Sequence, residues 1–242
     1  MDIKTEIADL CKKLKLGNGF AINSGEIEAL SHEEYLLELL KREVLHRDEV
    51  RKTRYISTAG FYTLKTFDEF NFNELILPPS ITKEWLKSCE FVNQNQNLIF
   101  YGNIGRGKTH LATAIGIEAC KNGKRVLFFR TSTLVNKLSE CKKAGNLSSF
   151  LKKFEKVDLL ICDEWGYVPL EIQGAQLLFS IISDCYERRS VIITTNLEFS
   201  KWVSVFYDEN MTAAIIDRLI HHSQILTFEG PSLRLKSSLF SN

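Results

Sequence analysis

Residues 98–109 constrain the fold more than any other stretch of the chain. The apolar run Leu98-Ile99-Phe100-Tyr101 has strand character and feeds Gly102-Asn103-Ile104-Gly105-Arg106-Gly107-Lys108-Thr109. That turn fits the phosphate-loop pattern G-x-x-x-x-G-K-[ST] at every fixed position, and a helical pattern follows it. Glycines let such a turn wrap closely, so that successive backbone N–H groups point inward at phosphate oxygens while the helix start adds its positive end. Lys108 is expected on the β and γ phosphates of a nucleotide, and the Thr109 hydroxyl on Mg²⁺.

The rest of the chain alternates around this stretch. Arg125–Arg130, Val157–Cys162, Val191–Thr195 and Ile225–Phe228 read as further short strands. Helical patterns lie between them: from about Gly107 to Cys120, around Leu134, Val135 and Leu138, from Gln173 to about Glu187, and from Met211 to His221. Strand and helix alternating five times predicts an α/β fold with a five-stranded parallel sheet and helices on both faces.

Before the sheet, Ile3, Ile7, Leu10 and Leu14 recur at helical spacing, and Gly17-Asn18-Gly19 should end that helix in left-handed backbone. A short helix should follow. Ser31 and Glu34 then form a capping-box pattern that opens a helix with the apolar stripe Tyr35, Leu39 and Leu45. Residues 61–97 read as a linker packed on the next domain and carrying Phe61, Phe67, Phe70 and Phe72, then a helix capped by Ser80 and bearing Ile81, Trp85 and Cys89. The expected organisation is a helical N-terminal domain over 1–60, the linker over 61–97 and the nucleotide domain over 98–242.

Composition matters mainly for what it excludes. At 44% hydrophobic and 25% charged residues, the 242-residue chain is of ordinary globular type and long enough for a full core. A net charge of +1 rules out a global electrostatic argument for nucleic acid, so any such surface must be local. The six cysteines form no C-x-x-C pair and read as reduced core thiols. With no bilayer-spanning apolar run and no secretion-signal layout, a cytoplasmic protein without membrane contact is expected.

The strand ending at Cys162 delivers Asp163 and Glu164 at its C-terminal end, where ligands of parallel sheets bind. With a phosphate loop upstream and one strand between, the pair can divide the labour of ATP hydrolysis. Asp163 would hold Mg²⁺, and Glu164 would orient and deprotonate the attacking water. Asn196, at the end of its strand, reads equally as a γ-phosphate contact and as turn chemistry. Arg218 and Arg234 read by pattern as surface or intramolecular ion pairs. Arg47, Arg51 and Arg54 share a helix face that suits a phosphate backbone, yet Glu43 precedes Arg47 and Asp48 precedes Lys52 at ion-pair spacing, which favours an ordinary solvated face. His110, His221 and His222 show no metal-ligand spacing.

From Phe20 onward, and most densely from Leu98 to Leu235, the chain resembles the AAA+ ATPases of the IstB and DnaC type, and among them the IstB-like helpers of insertion-sequence transposition. The resemblance rests on Gly102–Thr109 with His110-Leu111-Ala112, on Leu159–Glu164 with Gly166-Tyr167, and on Thr194-Thr195-Asn196. Ala213–Leu219 with His221-His222-Ser223, and Gly230–Leu235, complete it. It implies an ATP- and Mg²⁺-dependent ATPase in which Asn196 is a sensor of the γ phosphate and Arg218 an arginine finger for a neighbouring subunit. Arg234 would be a late basic contact. No helical lid domain is expected after Phe228, so the site would be completed between copies in a homo-oligomer.

The resemblance further implies binding of duplex DNA with little sequence specificity and delivery of target DNA to a partner transposase. Lys137, Lys142, Lys143, Lys152 and Lys153 then join Arg47, Arg51 and Arg54 as candidate phosphate contacts. A DnaC-type helicase loader is the rival reading, and a small-molecule kinase a remote third that leaves Asp163, Glu164 and Asn196 unexplained. Asn103, Ile104 and Arg106 depart from the residues usual in this loop, with Arg106 expected to point to solvent. Trp165 is bulkier than expected and could disturb Glu164.

Overall fold

A computed structural model of the chain describes residues 2–72, 75–167 and 170–233. It separates into two compact units, Met1–Arg54 and Tyr55–Asn242, with the division falling inside a long helix.

The first unit holds α1 (Ile3–Lys13), α2 (Gly19–Asn23) and most of α3 (His32–Thr58). Helix α1 does not end on the glycines: Lys15 takes the left-handed conformation (φ 55°), and Leu16 N–H returns to Cys11 O at 2.8 Å. The glycines are required for space instead. A β-carbon on Gly17 would sit 1.6 Å from the Glu43 carboxylate, which lies against this turn. At the start of α3, Ser31 Oγ accepts from Glu34 N–H at 3.1 Å, while Glu34 reaches back to Leu30 N–H at 3.1 Å. The buried positions of α3 are Leu39 and Glu43, one helical turn apart, whereas Leu45 is exposed, so the apolar stripe is narrower than its periodicity suggests.

The second unit opens with α4 (Lys83–Ser88) and α5 (Glu90–Asn93). The cap is Thr82, not Ser80: its hydroxyl accepts from Trp85 N–H at 3.0 Å. The expected continuous helix is broken at Cys89, which turns left-handed (φ 54°) as its thiol donates to Leu86 O and Ile115 O. Then come β1 (Asn97–Gly102), α6 (Lys108–Lys121), β2 (Val126–Arg130), α7 (Thr131–Lys143), α8 (Leu147–Leu151), β3 (Leu159–Trp165) and α9 (Ile172–Cys185). The unit continues with β4 (Ser190–Thr195), α10 (Val203–Phe206), α11 (Glu209–Ile220) and β5 (Ser223–Phe228).

The five strands pair in parallel, as the alternating pattern predicts, and their order is β2-β3-β4-β1-β5. Successive strand residues face opposite sides, so each strand feeds two cores. Leu98, Phe100, Phe128, Leu159, Ile161 and Ile192 pack under α6, together with Phe61, Phe67, Phe70 and Phe72 from the aromatic segment. Ile99, Leu160, Cys162, Trp165, Val191 and Ile193 pack against α7, α9 and α11. Each fully buried aliphatic or aromatic side chain contributes about 1.5–3 kcal/mol. Two filled faces fix the strand register, and thereby the alignment of all strand C-termini along one edge. Among the described residues, no helix is long and apolar enough to cross a membrane.

Candidate active site

The phosphate loop leaves the end of β1 at Gly102 (φ 139°), where a β-carbon would lie 2.2 Å from Phe228 O. Only glycine lets the two backbones approach so closely. Gly107 is left-handed (φ 88°) and caps α6, whose first amides point into the loop. Lys108 Nζ donates to the carbonyls of Gly102 and Asn103, both at 2.7 Å, so the ammonium is already centred over the loop.

Thr109, on the first turn of α6, lies 2.9 and 3.1 Å from the two carboxylate oxygens of buried Asp163 on β3. A hydroxyl and a carboxylate brought together at a phosphate loop are a hard-oxygen donor set of the kind that suits Mg²⁺. Glu164, the next residue, has a left-handed backbone (φ 58°) at a register shift between Cys162 and Trp165. That twist leaves both carboxylates on the nucleotide side of the strand end, where strict alternation would separate them. Glu164 lines a cavity of about 390 Å³, and its carboxylate lies 3.5 Å from the Arg130 guanidinium. Trp165 does not crowd it: the indole is fully buried on the other side, with ring centroids 5.3 Å from Trp202 and 5.6 Å from Phe206.

The same cavity is lined by Ile104, Gly105, Arg106, Gly107, Lys108, Thr109, His110 and Asn196, all singled out in the sequence. His110 is also tied down: its Nε2 lies 2.9 Å from Thr66 O, and its ring meets Phe70 edge-on. Gly102 and Asn103 do not line the cavity; their carbonyls accept from Lys108 Nζ. Arg218 does not line the cavity of its own chain; it sits on α11, donates to Ala214 O at 2.9 Å and lies over the Phe179 ring. Arg234 lies outside the described residues. Among the described residues, no group of three or more histidine, cysteine, aspartate or glutamate side chains could hold a metal on its own.

Arg106 is not directed to solvent. It is buried, and Nη1 donates to Pro231 O at 3.1 Å. Asn103 Nδ2 likewise donates to Gly230 O at 3.1 Å, and Leu233 N–H to Gly105 O at 3.1 Å. The unusual loop residues are therefore fitted to the segment after β5.

Pattern reading missed Thr63, Lys65, Tyr167 and Thr194 in the cavity wall, and also Arg130 and Thr131. Tyr167 and Thr194 enter only as part of the resemblance, with no role assigned to them, since threonines at strand ends read by pattern as β-formers.

The candidate nucleic-acid contacts fall in two places. In the first unit, Arg47 pairs with Glu43 at 2.6 Å, Arg51 pairs with Asp48, and Lys52 pairs with Asp48 at 2.7 Å; Arg54 is exposed on the same helix. The ion pairs foreseen from the spacing are thus formed. In the second unit, Lys137 pairs with Glu140 at 3.3 Å, and Lys142, Lys143, Lys152 and Lys153 are exposed around the α7–α8 turn.

A phosphate loop after β1, carboxylates on β3, and β4 inserted between β3 and β1 together define the nucleotide-binding domain of the AAA+ class. Solved structures agree on that fold. The DnaC helicase loader superposes with TM-score 0.54 at 24% identity over 70% of this chain and 98% of its own. AMPPCP-bound DnaA from Aquifex aeolicus gives TM-score 0.57 at 22% identity over 74% of this chain and 54% of its own. The chain belongs to the IstB-like ATP binding protein family, whose pattern it matches over residues 19–241. It is 38% identical over 220 residues to the protein assigned as the ATP-binding protein of insertion sequence IS232 in Bacillus thuringiensis subsp. berliner, covering 90% of this chain and 85% of that one. Its counterpart assigned in IS21 of Pseudomonas aeruginosa is 34% identical, covering 86% and 78%.

Proposed function

We propose that this IstB-like chain is an ATPase that assembles on duplex DNA and helps a transposase use its target. The observation that carries the ATPase reading is that Thr109 and Glu164 line the phosphate-loop cavity while Asp163, the residue before Glu164, is bonded to the Thr109 hydroxyl.

In this reading the loop amides and Lys108 bind the polyphosphate, exchanging loop carbonyls for phosphate oxygens. Thr109 and Asp163 would hold Mg²⁺, which supplies charge neutralisation at the β and γ phosphates. Glu164 accepts the proton of the attacking water, and Asn196 orients that water against the γ phosphate. Arg218, held outside its own cavity, serves the neighbouring subunit's site, so hydrolysis depends on assembly.

The family relatives' insertion-sequence names support the transposition setting, and the exposed lysines around the α7–α8 turn are accessible to a DNA backbone. Repetition around an assembly would let many weak contacts bind DNA despite a net charge of +1 per chain. The test is ATP turnover of wild type and Arg218→Ala with and without duplex, followed by strand transfer with an insertion-sequence transposase. Duplex-stimulated turnover that needs Arg218 supports the proposal; turnover stimulated only by single strands and a helicase supports the loader reading.

A further inference from the structure

Thr194 makes contacts that its position in the sheet does not require. It lies in β4 after Val191, Ile192 and Ile193 and is 2% exposed, a setting that valine would fill equally well. A buried hydroxyl without partners is costly, so its presence is explained by what it bonds. Its Oγ1 accepts the Glu164 N–H at 3.1 Å and donates its single proton to Asp163 Oδ1. One side chain therefore touches both acidic residues.

Glu164 needs such support because its left-handed backbone is disfavoured for any residue with a β-carbon. Two further hydroxyls hold its neighbours: Thr131 Oγ1 donates to Asp163 O at 2.9 Å, and Thr195 Oγ1 to Trp165 O at 2.8 Å. Neither of these reaches a carboxylate. Among the described residues, the Asp163 carboxylate is held by Thr109 and Thr194 alone. If Thr109 turns to a metal, Thr194 is the donor that stays.

We propose that Thr194 is a positioning residue that keeps Asp163 and Glu164 in working register, so that metal-dependent nucleotide binding and hydrolysis both pass through its hydroxyl. The inference rests on the ATPase reading above, but its test separates the two. Affinity for a fluorescent ATP analogue is measured with Mg²⁺ and with EDTA, alongside turnover, for wild type, Thr194→Val, Thr194→Ala and Thr194→Ser. Circular dichroism selects the folded variants.

The valine and alanine variants should lose most of the Mg²⁺-dependent gain in affinity, and kcat should fall about 10- to 100-fold, the usual cost of removing a partner of a metal ligand. Affinity in EDTA should be unchanged, because the loop amides and Lys108 do not touch Thr194. Serine should restore both properties. A valine variant with the wild-type Mg²⁺ gain would overturn the proposal, as would equal losses with and without the metal. Wild type that binds the analogue with a Mg²⁺ gain yet never hydrolyses ATP would end the ATPase reading, while the affinity comparison would still decide the role of Thr194.

Discussion

The Arg130 guanidinium lies 3.5 Å from the Glu164 carboxylate and 4.5 Å from the centre of the Tyr62 ring. Arg130 ends β2 opposite Asp163, and Glu164 is the next residue along β3, within reach of the guanidinium. Both side chains are half exposed, which limits the pair to less than about 1 kcal/mol of stability. Its effect should therefore be on the base and not on the fold. Arg130→Ala should raise basal ATP turnover in the absence of DNA and leave the melting temperature within about 2–4 °C of wild type. Paired turnover and thermal-melt measurements check this.

Arg106 is a buried arginine bonded to the carbonyl of Pro231. Arg106→Ala removes a charge-assisted bond and leaves that carbonyl short of a donor, at a cost of about 1.5–3 kcal/mol. Because the same loop cradles phosphate, ATP affinity should fall along with the melting temperature. Calorimetric titration with ATP reads the first and a melt the second.

Gly102→Ala meets Phe228 O at 2.2 Å in a backbone conformation that side chains rarely adopt. The loss should exceed about 1 kcal/mol and separate the phosphate loop from β5. Urea denaturation with unchanged slope would report it.

All six cysteines are buried. Burial pushes Cys89 and Cys120 up to about 12 and also raises Cys162 and Cys185. Native thiols should thus resist Ellman's reagent at pH 8 and react on unfolding. The sign for stability follows: above the ordinary thiol value the unfolded chain loses protons that the native chain keeps, so stability falls as pH rises from about 9 towards 12. Melts across that range test it.

Lys142 and Lys143 are exposed at the end of α7 and so make cleaner probes of DNA binding than Arg47, whose loss strands the buried Glu43 carboxylate. Lys142→Glu with Lys143→Glu should weaken duplex binding and flatten its salt dependence by roughly 0.9 for each phosphate no longer neutralised. ATP affinity should not change. Filter binding across a salt series measures both slopes.

Much of the second unit was legible because local and global signals agree there. The apolar strands, the glycine loop and the Asp163-Glu164 step each follow from short-range pattern, and a five-stranded parallel sheet, though not its order β2-β3-β4-β1-β5, follows from their alternation. What pattern could not reach depends on residues distant in sequence. Arg106 looks like a surface charge until the segment at Pro231 folds over it. Thr82 displaces Ser80 as the cap because the helix starts at Lys83, and Cys89 ends it in left-handed backbone. The aromatic residues from Phe61 to Phe72 read as a linker packed on the next domain, and they do pack there, though only the structure shows that they fill the face of the sheet beneath α6. Thr131 and Thr194 bond Asp163, and Thr194 also accepts from Glu164 N–H, contacts across strands that no short-range pattern announces.

The central claim is that ATP binding assembles this chain on duplex DNA, and Glu164→Gln tests it most directly. The variant should bind ATP without hydrolysing it, so light scattering with ATP, Mg²⁺ and a linear duplex should record a large particle that dissociates as salt is raised. A variant that binds ATP yet stays the size of the free protein on duplex would contradict the account.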